Sequence, residues 1–395
     1  MRTKPATIRD VAKASGVSSA TVSYVLNGGP RRVDPVTAAR VTEAMERLHY
    51  HPNTMARGLN KKRLDCLGVV FPQPNPSLVF DSYFSALLDG IIHVTTERQQ
   101  NVTLYTGMEW NGRTSLPAFR DRRVDGLLLI ATLTDSDIVG SLTEAGIPFV
   151  LINNTVGDPR VFSVDVDNME AARTVIHHLV SLGHKRIGHV GGQDNSPSTA
   201  PRRAGYINGL LENGLTVDPE LIVEGAYTQD WGYEGMWKLL ALPNPPTAVF
   251  AGGDGIALGI YQACAEAGVS IPREMSVVGF DNAPFVQHLN PGLTTVHHPL
   301  IQIGATAATL LLSALDAESN DVQRPAERIV LPTELVVRES TAEPRVGSFK
   351  PVDPSLNRTT KSNLIRTPID PIRLTPPVRE PAPATLRFSS PDVRR

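Results

Sequence analysis

Apolar residues return at helical spacing three times in the first fifty positions. Ile8, Val11 and Ala12 fall at i, i+3 and i+4, which predicts a short helix with one apolar stripe. Thr7 and Asp10 form a T-x-x-D cap at its start, and Ser15-Gly16-Val17 breaks it. Ser18 can cap a second helix whose Val22, Val25 and Leu26 share a face, leaving Ser19, Ala20, Ser23, Tyr24 and Asn27 pointing away. Neither helix buries enough surface alone. Asp34-Pro35 opens a third, with Val41, Ala44, Met45 and Leu48 in helical register to cover them. Two short helices about a glycine turn match the helix-turn-helix, which offers its second helix to a DNA major groove. Any small three-helix bundle would show the same periodicity.

From Leu64 the pattern changes to short apolar runs alternating with helical stretches. Strands are expected at Leu67–Phe71, Val102–Tyr105, Gly126–Ile130 and Phe149–Ile152, with helices at Phe84–Arg98 and Ile138–Ala145. A second series starts with a helix at Asn168–Leu182 and runs to a strand at Ser276–Phe280. Such repetition predicts parallel sheets covered on both faces, and two series predict two α/β lobes. Ligands in these folds sit at the carboxyl ends of the strands, here where the lobes face each other. Segments at Leu293–Val296, Ile301–Leu315, Ile329 and Leu335 should return the chain through both lobes. The fold class is α/β: an N-terminal helix-turn-helix head, then a two-lobed domain of parallel sheets.

Charge sharpens this reading. The 395-residue chain carries a formal net charge of −2, yet residues 1–63 hold twelve Lys/Arg against four Asp/Glu. A basic head on a near-neutral chain is the electrostatic footprint of nucleic-acid binding. Residues 341–395 hold ten prolines with ten Lys/Arg against five Asp/Glu and show no period, so a disordered tail is expected there. The body at 64–340 is then acidic and should repel DNA.

Other chemistries find little support. Cys66 and Cys264 are far apart in apolar stretches, without metal-ligand spacing, and read as reduced core residues of a cytoplasmic protein. No run of about 18 apolar residues suggests a membrane span, and MRTKPATIRD lacks the apolar core of a signal peptide. Gly191-Gly192 and Gly252-Gly253 complete neither G-x-G-x-x-G nor a P-loop, and no G-x-S-x-G occurs, so neither an enzyme nor a cofactor is expected. His177, His178, His184 and His189 are spaced unlike a metal site and are expected to be structural.

The run D-V-A-x-x-x-G-V-S-x-x-T-V-S-x-V-L-N from Asp10 to Asn27 resembles the head of the LacI/GalR family of bacterial transcription repressors. The likeness continues through Tyr50-His51-Pro52-Asn53 and Ala56-Arg57-Gly58-Leu59 to about Ser340. It implies a head and hinge at 1–63 and, at 64–340, an effector-binding and dimerisation domain built like the periplasmic sugar-binding proteins. A homodimer on a palindromic operator, controlled by a small molecule such as a sugar, follows from the same resemblance. It places Ser19, Ala20 and Tyr24 at base-reading positions; many members carry arginine where this chain has Tyr24. Ser18, Thr21, Arg31 and Arg32 are then phosphate contacts. Asn53, Ala56 and Leu59 belong to the hinge, where the leucine wedges into the minor groove. A plain linker ending in Lys61-Lys62-Arg63 is the alternative.

For the effector, the resemblance points to Arg202 in R-x-x-G and to Asp281 after Val277–Phe280, a guanidinium fork and a carboxylate suited to sugar hydroxyls. Asn153 stands where an aspartate is frequent and Tyr227 where an aromatic stacks on the sugar, while Gly253 departs from the common asparagine or serine. Tyr83 and Phe84 are candidates to wall the cleft, although Phe84 could equally be core and Asp281 could cap the turn after its strand. The tail lacks the leucine heptad that makes tetramers, which favours a dimer. A solute-binding receptor for transport, which would need export, is the alternative from another class.

Overall fold

The computed structural model describes residues 6–27, 33–50, 63–71, 81–106, 112–121, 123–319 and 325–345. The head forms as its pattern predicts. Helix α1 spans Ile8–Ser15 and ends at Gly16, whose φ of 67° is the left-handed conformation that glycine adopts without steric cost. Asp10 closes its start, Oδ2 accepting from the Thr7 N–H at 2.8 Å and the Thr7 hydroxyl at 2.7 Å. Helix α2 covers Ser19–Asn27, with Ser18 Oγ accepting from Thr21 N at 3.1 Å. Helix α3 covers Pro35–Arg47, capped by Asp34 on Thr37 N at 2.9 Å. Val11, Ala12, Val22, Val41 and Ala44 are buried together, with Ile8, Val25, Leu26, Met45 and Leu48 packed around them.

The body holds two six-stranded sheets. The first lobe contains β1 (Cys66–Val70), α4 (Ser82–Glu97), β2 (Asn101–Tyr105), α5 (Gly112–Phe119), β3 (Gly126–Ile130), α6 (Ile138–Ala145), β4 (Phe149–Ile152) and β5 (Phe162–Val166). The second contains α7 (Asn168–Ser181), β6 (Ile187–Gly191), α8 (Thr199–Glu212), β7 (Ile222–Glu224), α9 (Gln229–Leu240), β8 (Ala248–Ala251), α10 (Asp254–Glu266), β9 (Ser276–Asp281) and β10 (Thr294–His297). Helix α11 (Leu300–Ser319) and β11 (Arg328–Leu331) then return to the first lobe, and β12 (Glu334–Val336) to the second. The orders are β11-β5-β4-β3-β1-β2 and β12-β10-β9-β8-β6-β7. Every pairing is parallel except β10 with β12.

Four features differ from the sequence reading. Helix α5 was not expected, because Pro117 interrupts its pattern; the proline sits near the C-terminal end of the helix. Strand β5 was hidden because Ser163 and Asp165 face inward, both buried. Helix α11 is long and apolar enough by length and composition to cross a membrane, although half of that stretch is buried in the protein. Its Ile303, Ala307, Ala308, Leu311 and Leu315 pack with Leu67, Leu87, Ile91 and Leu128 in the first lobe's core, which accounts for that apolarity. The tail boundary at 341 is also too early. Thr341 meets His178 Nε2 at 3.1 Å, Ala342 O lies 2.9 Å from His184 Nε2, and Arg345 pairs with Glu274 at 2.9 Å, so 341–345 belong to the second lobe.

Helices α4 and α11 cross with their backbones in contact. A Cβ on Gly90 would lie 1.9 Å from Ile301 O, and one on Gly304 would lie 2.1 Å from Leu87 O. No other residue lets the two backbones approach this closely.

The four histidines have separate surroundings. His177 meets Glu212 at 3.0 Å, His178 meets Thr341, and His184 bridges Thr247, Ser276 and Ala342. His189 stacks between Tyr206 and Phe250, with Nδ1 3.0 Å from Phe250 O and Nε2 buried without a partner among the described residues. Burial pushes its pKa down to about 4. Because the folded value lies below the ordinary imidazole value of 6.5, the unfolded chain binds more protons between those values, and stability falls as pH drops from about 6.5 towards 4. Replacing His189 with phenylalanine should shift this acid limb to lower pH, as read by urea midpoints at pH 7 and pH 5. An unchanged difference between the two midpoints would remove His189 from the account.

Candidate functional site

Two surfaces bring the expected residues together. On the head, Val22 is fully buried while Ala20 and Tyr24 are exposed, Tyr24 at 38 %. Helical periodicity therefore turns the opposite side of α2 outward, with Ser19 and Thr21 half-buried at its edges. Ser18 Oγ lies 2.9 Å from Thr21 Oγ1, so the hydroxyls at the helix start stand beside α2's first N–H groups, as a phosphate contact requires. Arg31, Arg32, Asn53, Ala56 and Leu59 lie outside the described residues.

The second surface is a cleft of about 500 Å³ between the lobes. All six expected effector residues, Tyr83, Phe84, Asn153, Arg202, Tyr227 and Asp281, line it. Each stands near the carboxyl end of a strand or the start of a helix, because parallel βα units place those ends on one side of the sheet. Asp81 Oδ1 caps α4 by accepting from Tyr83 N at 3.0 Å and Phe84 N at 3.4 Å, which fixes both aromatics at the rim. Phe84 serves the wall and the core together, its ring 5.5 Å from that of Phe71. Tyr227 is held by its hydroxyl, 2.9 Å from Ser198 Oγ and 3.2 Å from Thr199 Oγ1.

Arg202 is 4 % exposed, and much of its fork is committed inside the protein. Nε donates to Asn168 Oδ1 at 2.9 Å and Nη1 to Gly252 O, while the guanidinium lies 3.5 Å over the Phe280 ring. The arginine therefore knits α7, the end of β8 and β9 together at the cleft floor. Nη2 makes no hydrogen bond among the described residues.

His298 is one cleft residue that sequence reasoning missed. It is buried between β10 and α11, with Nδ1 3.1 Å from Asp281 Oδ1 in the second lobe and Nε2 3.3 Å from Asn153 Oδ1 in the first. Asn153 Nδ2 in turn donates to the Tyr83 hydroxyl at 2.7 Å. Burial pushes the imidazole pKa down, and the bond to Asp281 pulls the other way. Asp281 and Asn153 both have positive φ, 116° and 52°. The value at Asp281 is a strained backbone of the kind that clusters at ligand sites.

Asp254 was passed over too. It begins α10 almost fully buried, accepting from Ala283 N at 2.7 Å and from the Thr295 hydroxyl at 2.7 Å. Burial first, and then the Asp281 carboxylate beside it, push its pKa up to about 8. The Asp281 side chain lines the cleft and is 17 % exposed. Among the described residues no group of His, Cys, Asp and Glu is placed to hold a metal ion.

Comparisons with known proteins follow the same division. Residues 7–53 match the pattern of bacterial regulatory proteins of the lacI family, and residues 176–341 match a periplasmic binding protein-like domain. Catabolite control protein A of Priestia megaterium is 34% identical over 339 residues, which is 85% of this chain and 99% of that protein. The HTH-type transcriptional repressor CytR of Escherichia coli strain K12 is 31% identical over 85% of this chain and 96% of its own. Among solved structures, the Lac repressor dimer bound to operator and the anti-inducer ONPF superposes with a TM-score of 0.74 at 28% identity, over 86% of this chain and all of that one. A transcriptional regulator CelR–cellobiose complex gives 0.65 at 30% identity, over 85% and 99%.

Proposed function

The chain belongs to the lacI family of bacterial regulatory proteins, and on that premise we propose that it is a transcriptional repressor that binds a palindromic operator as a homodimer and answers to a small sugar in its interlobe cleft. The single observation that carries this reading is the pairing of an exposed α2 face on a basic head with a cleft lined by Arg202, Asp281 and Tyr227. The first supplies DNA contact and the second a polyol site: carboxylate and guanidinium for hydroxyls, aromatic faces for C–H surfaces. Relatives with the same architecture bind such ligands, cellobiose in one case and ribose in another. The protein acts by binding rather than catalysis, in the compartment that holds the chromosome. Residues 1–63 form the head and linker, and 64–345 the sensor.

The test has two arms. Selection from a randomised duplex pool should enrich a two-fold symmetric sequence, and its affinity should fall steeply with salt as counterions are released. Thermal melting with cellobiose, ribose and related sugars should show stabilisation, about 2.7 kcal/mol at a hundred times the dissociation constant. No enriched duplex alongside clear sugar binding would favour the transport receptor.

Tyr24 gives a finer check of the reading helix. Tyr24→Ala should weaken binding to the selected duplex by about 1–3 kcal/mol, the usual size of one base-pair discrimination. Random duplex should bind as before, because that binding depends on phosphate contacts. Equal losses on both DNAs would assign Tyr24 to the backbone.

A further inference from the structure

Two glycines beside Tyr227 are there for different reasons. A Cβ on Gly192 would lie 1.9 Å from Tyr227 Cε2, so that glycine is the seat on which the ring rests. Gly253 answers no such need. Its φ of −168° is extended backbone open to any residue, and a Cβ there would make only ordinary contacts, 3.4 Å from Tyr227 Cδ1 and 3.6 Å from Asp281 Oδ2. It is also the N-cap of α10, where no side chain closes the helix start, although serine or asparagine caps a helix better than glycine does. Neither backbone strain, packing nor helix stability accounts for glycine at 253. What glycine supplies is room: it lets a ligand approach the backbone itself, at a point flanked by an aromatic ring and a carboxylate oxygen.

Those two flanks define what fits. The Tyr227 hydroxyl is held by Ser198 and Thr199, so the ring offers a fixed apolar surface to carbon. Asp281 Oδ1 is turned to His298, and Oδ2 is the oxygen that faces residue 253. A ring hydroxyl alone would serve the carboxylate and leave the aromatic flank empty, and a methyl group would do the reverse. A hydroxymethyl group has one carbon for the ring and one hydroxyl to donate to Oδ2. We propose that Gly253 forms a subsite for the exocyclic hydroxymethyl group of a sugar and is thereby the residue that makes the cleft select hexopyranoses over pentopyranoses. This deepens, and rests on, the reading of the cleft as a polyol site. Any side chain at 253 would start between Tyr227 and Asp281 and exclude that group, whereas a pentopyranose lacks the group and leaves the space empty. One methylene more or less in a pocket is worth about 10–200-fold in discrimination.

The test compares sugars that differ only in hydroxymethyl groups: D-glucose with D-xylose, D-galactose with L-arabinose, D-mannose with D-lyxose, and cellobiose with xylobiose. Dissociation constants are measured by calorimetry on the full-length chain for wild type, Gly253→Ala and Gly253→Ser. In a pair that binds, the wild type should hold the hydroxymethyl-bearing sugar at least tenfold more tightly. Both variants should bring that ratio to threefold or less, chiefly by weakening the hydroxymethyl-bearing partner. Gly253→Ser should melt no lower than wild type, because it supplies the absent cap, and this separates lost space from lost folding. A wild-type ratio below tenfold in every pair that binds, or a ratio above threefold that persists in both variants, would overturn the proposal and leave the polyol reading standing. Binding of none of the eight sugars is a different outcome: it overturns the polyol reading, and the subsite with it.

Discussion

Replacing Arg202 with alanine is expected to abolish the sugar response and to destabilise the second lobe by about 4–8 kcal/mol, while the head continues to bind DNA. Two buried acceptors, Asn168 Oδ1 and Gly252 O, lose their donor, at roughly 1–3 kcal/mol each. The desolvated stacking of the guanidinium over Phe280 goes as well, worth about 2 kcal/mol. In a domain of this size each kcal/mol moves the melting temperature by about 2–4 °C, so a fall on the order of 10 °C should be visible by calorimetry. The head has its own core around Val11, Val22 and Val41 and needs none of these contacts. Arg202→Lys keeps the charge but cannot reproduce the planar fork, and it should recover part of the stability and little of the ligand shift. A melting temperature within 2 °C of wild type, with the ligand shift intact, would show that Arg202 is neither keystone nor ligand group.

The second large effect reverses a helix-propensity expectation. Glycine to alanine inside an exposed helix usually stabilises by about 1 kcal/mol, and Gly140→Ala in α6, where a Cβ meets nothing within 4 Å, should do so. Gly90→Ala in α4 should destabilise instead, by roughly 3 kcal/mol or more, at the upper end of overpacking costs. Its Cβ would sit 1.9 Å from Ile301 O and 2.8 Å from Ala305 N, both backbone atoms that no rotamer change can move aside. Helices α4 and α11 would have to part, carrying Tyr83 and Phe84 away from the cleft. Urea denaturation of the two variants side by side is the measurement. Stabilisation by both would mean that the α4–α11 contact yields easily.

The head was legible because everything that shapes it is local. The Thr7–Asp10 cap, the Gly16 break, the Ser18 cap and the Asp34-Pro35 start each act within four residues, and the structure places each helix end there. In the body, strands made wholly of apolar residues were read directly, as at Gly126–Ile130, where every residue is buried. Strand β5 escaped because its inward positions include Ser163 and Asp165, whose burial depends on partners the period does not reveal. Val166 N and Asn168 Nδ2 both donate to Asp165 Oδ1, and burial still pushes the Asp165 pKa up.

The cleft divides along the same line. By itself the sequence determined the basic helix-turn-helix head and the two α/β series and, through the family resemblance, pointed to Arg202 and Asp281, both of which line the cleft. Only the tertiary structure decided what these groups can do. Arg202 proved to be largely engaged by Asn168 and Gly252, burial and the neighbouring Asp281 push the Asp254 pKa up, and His298, in a plain His-His-Pro run, became the bridge between the lobes. The reason is separation along the chain. His298 meets partners 17 and 145 residues away, and Arg63 meets one 253 residues away. Periodicity and capping report the few neighbours that the backbone supplies, whereas burial, charge state and coupling arise from groups that only folding brings within a few ångströms of each other.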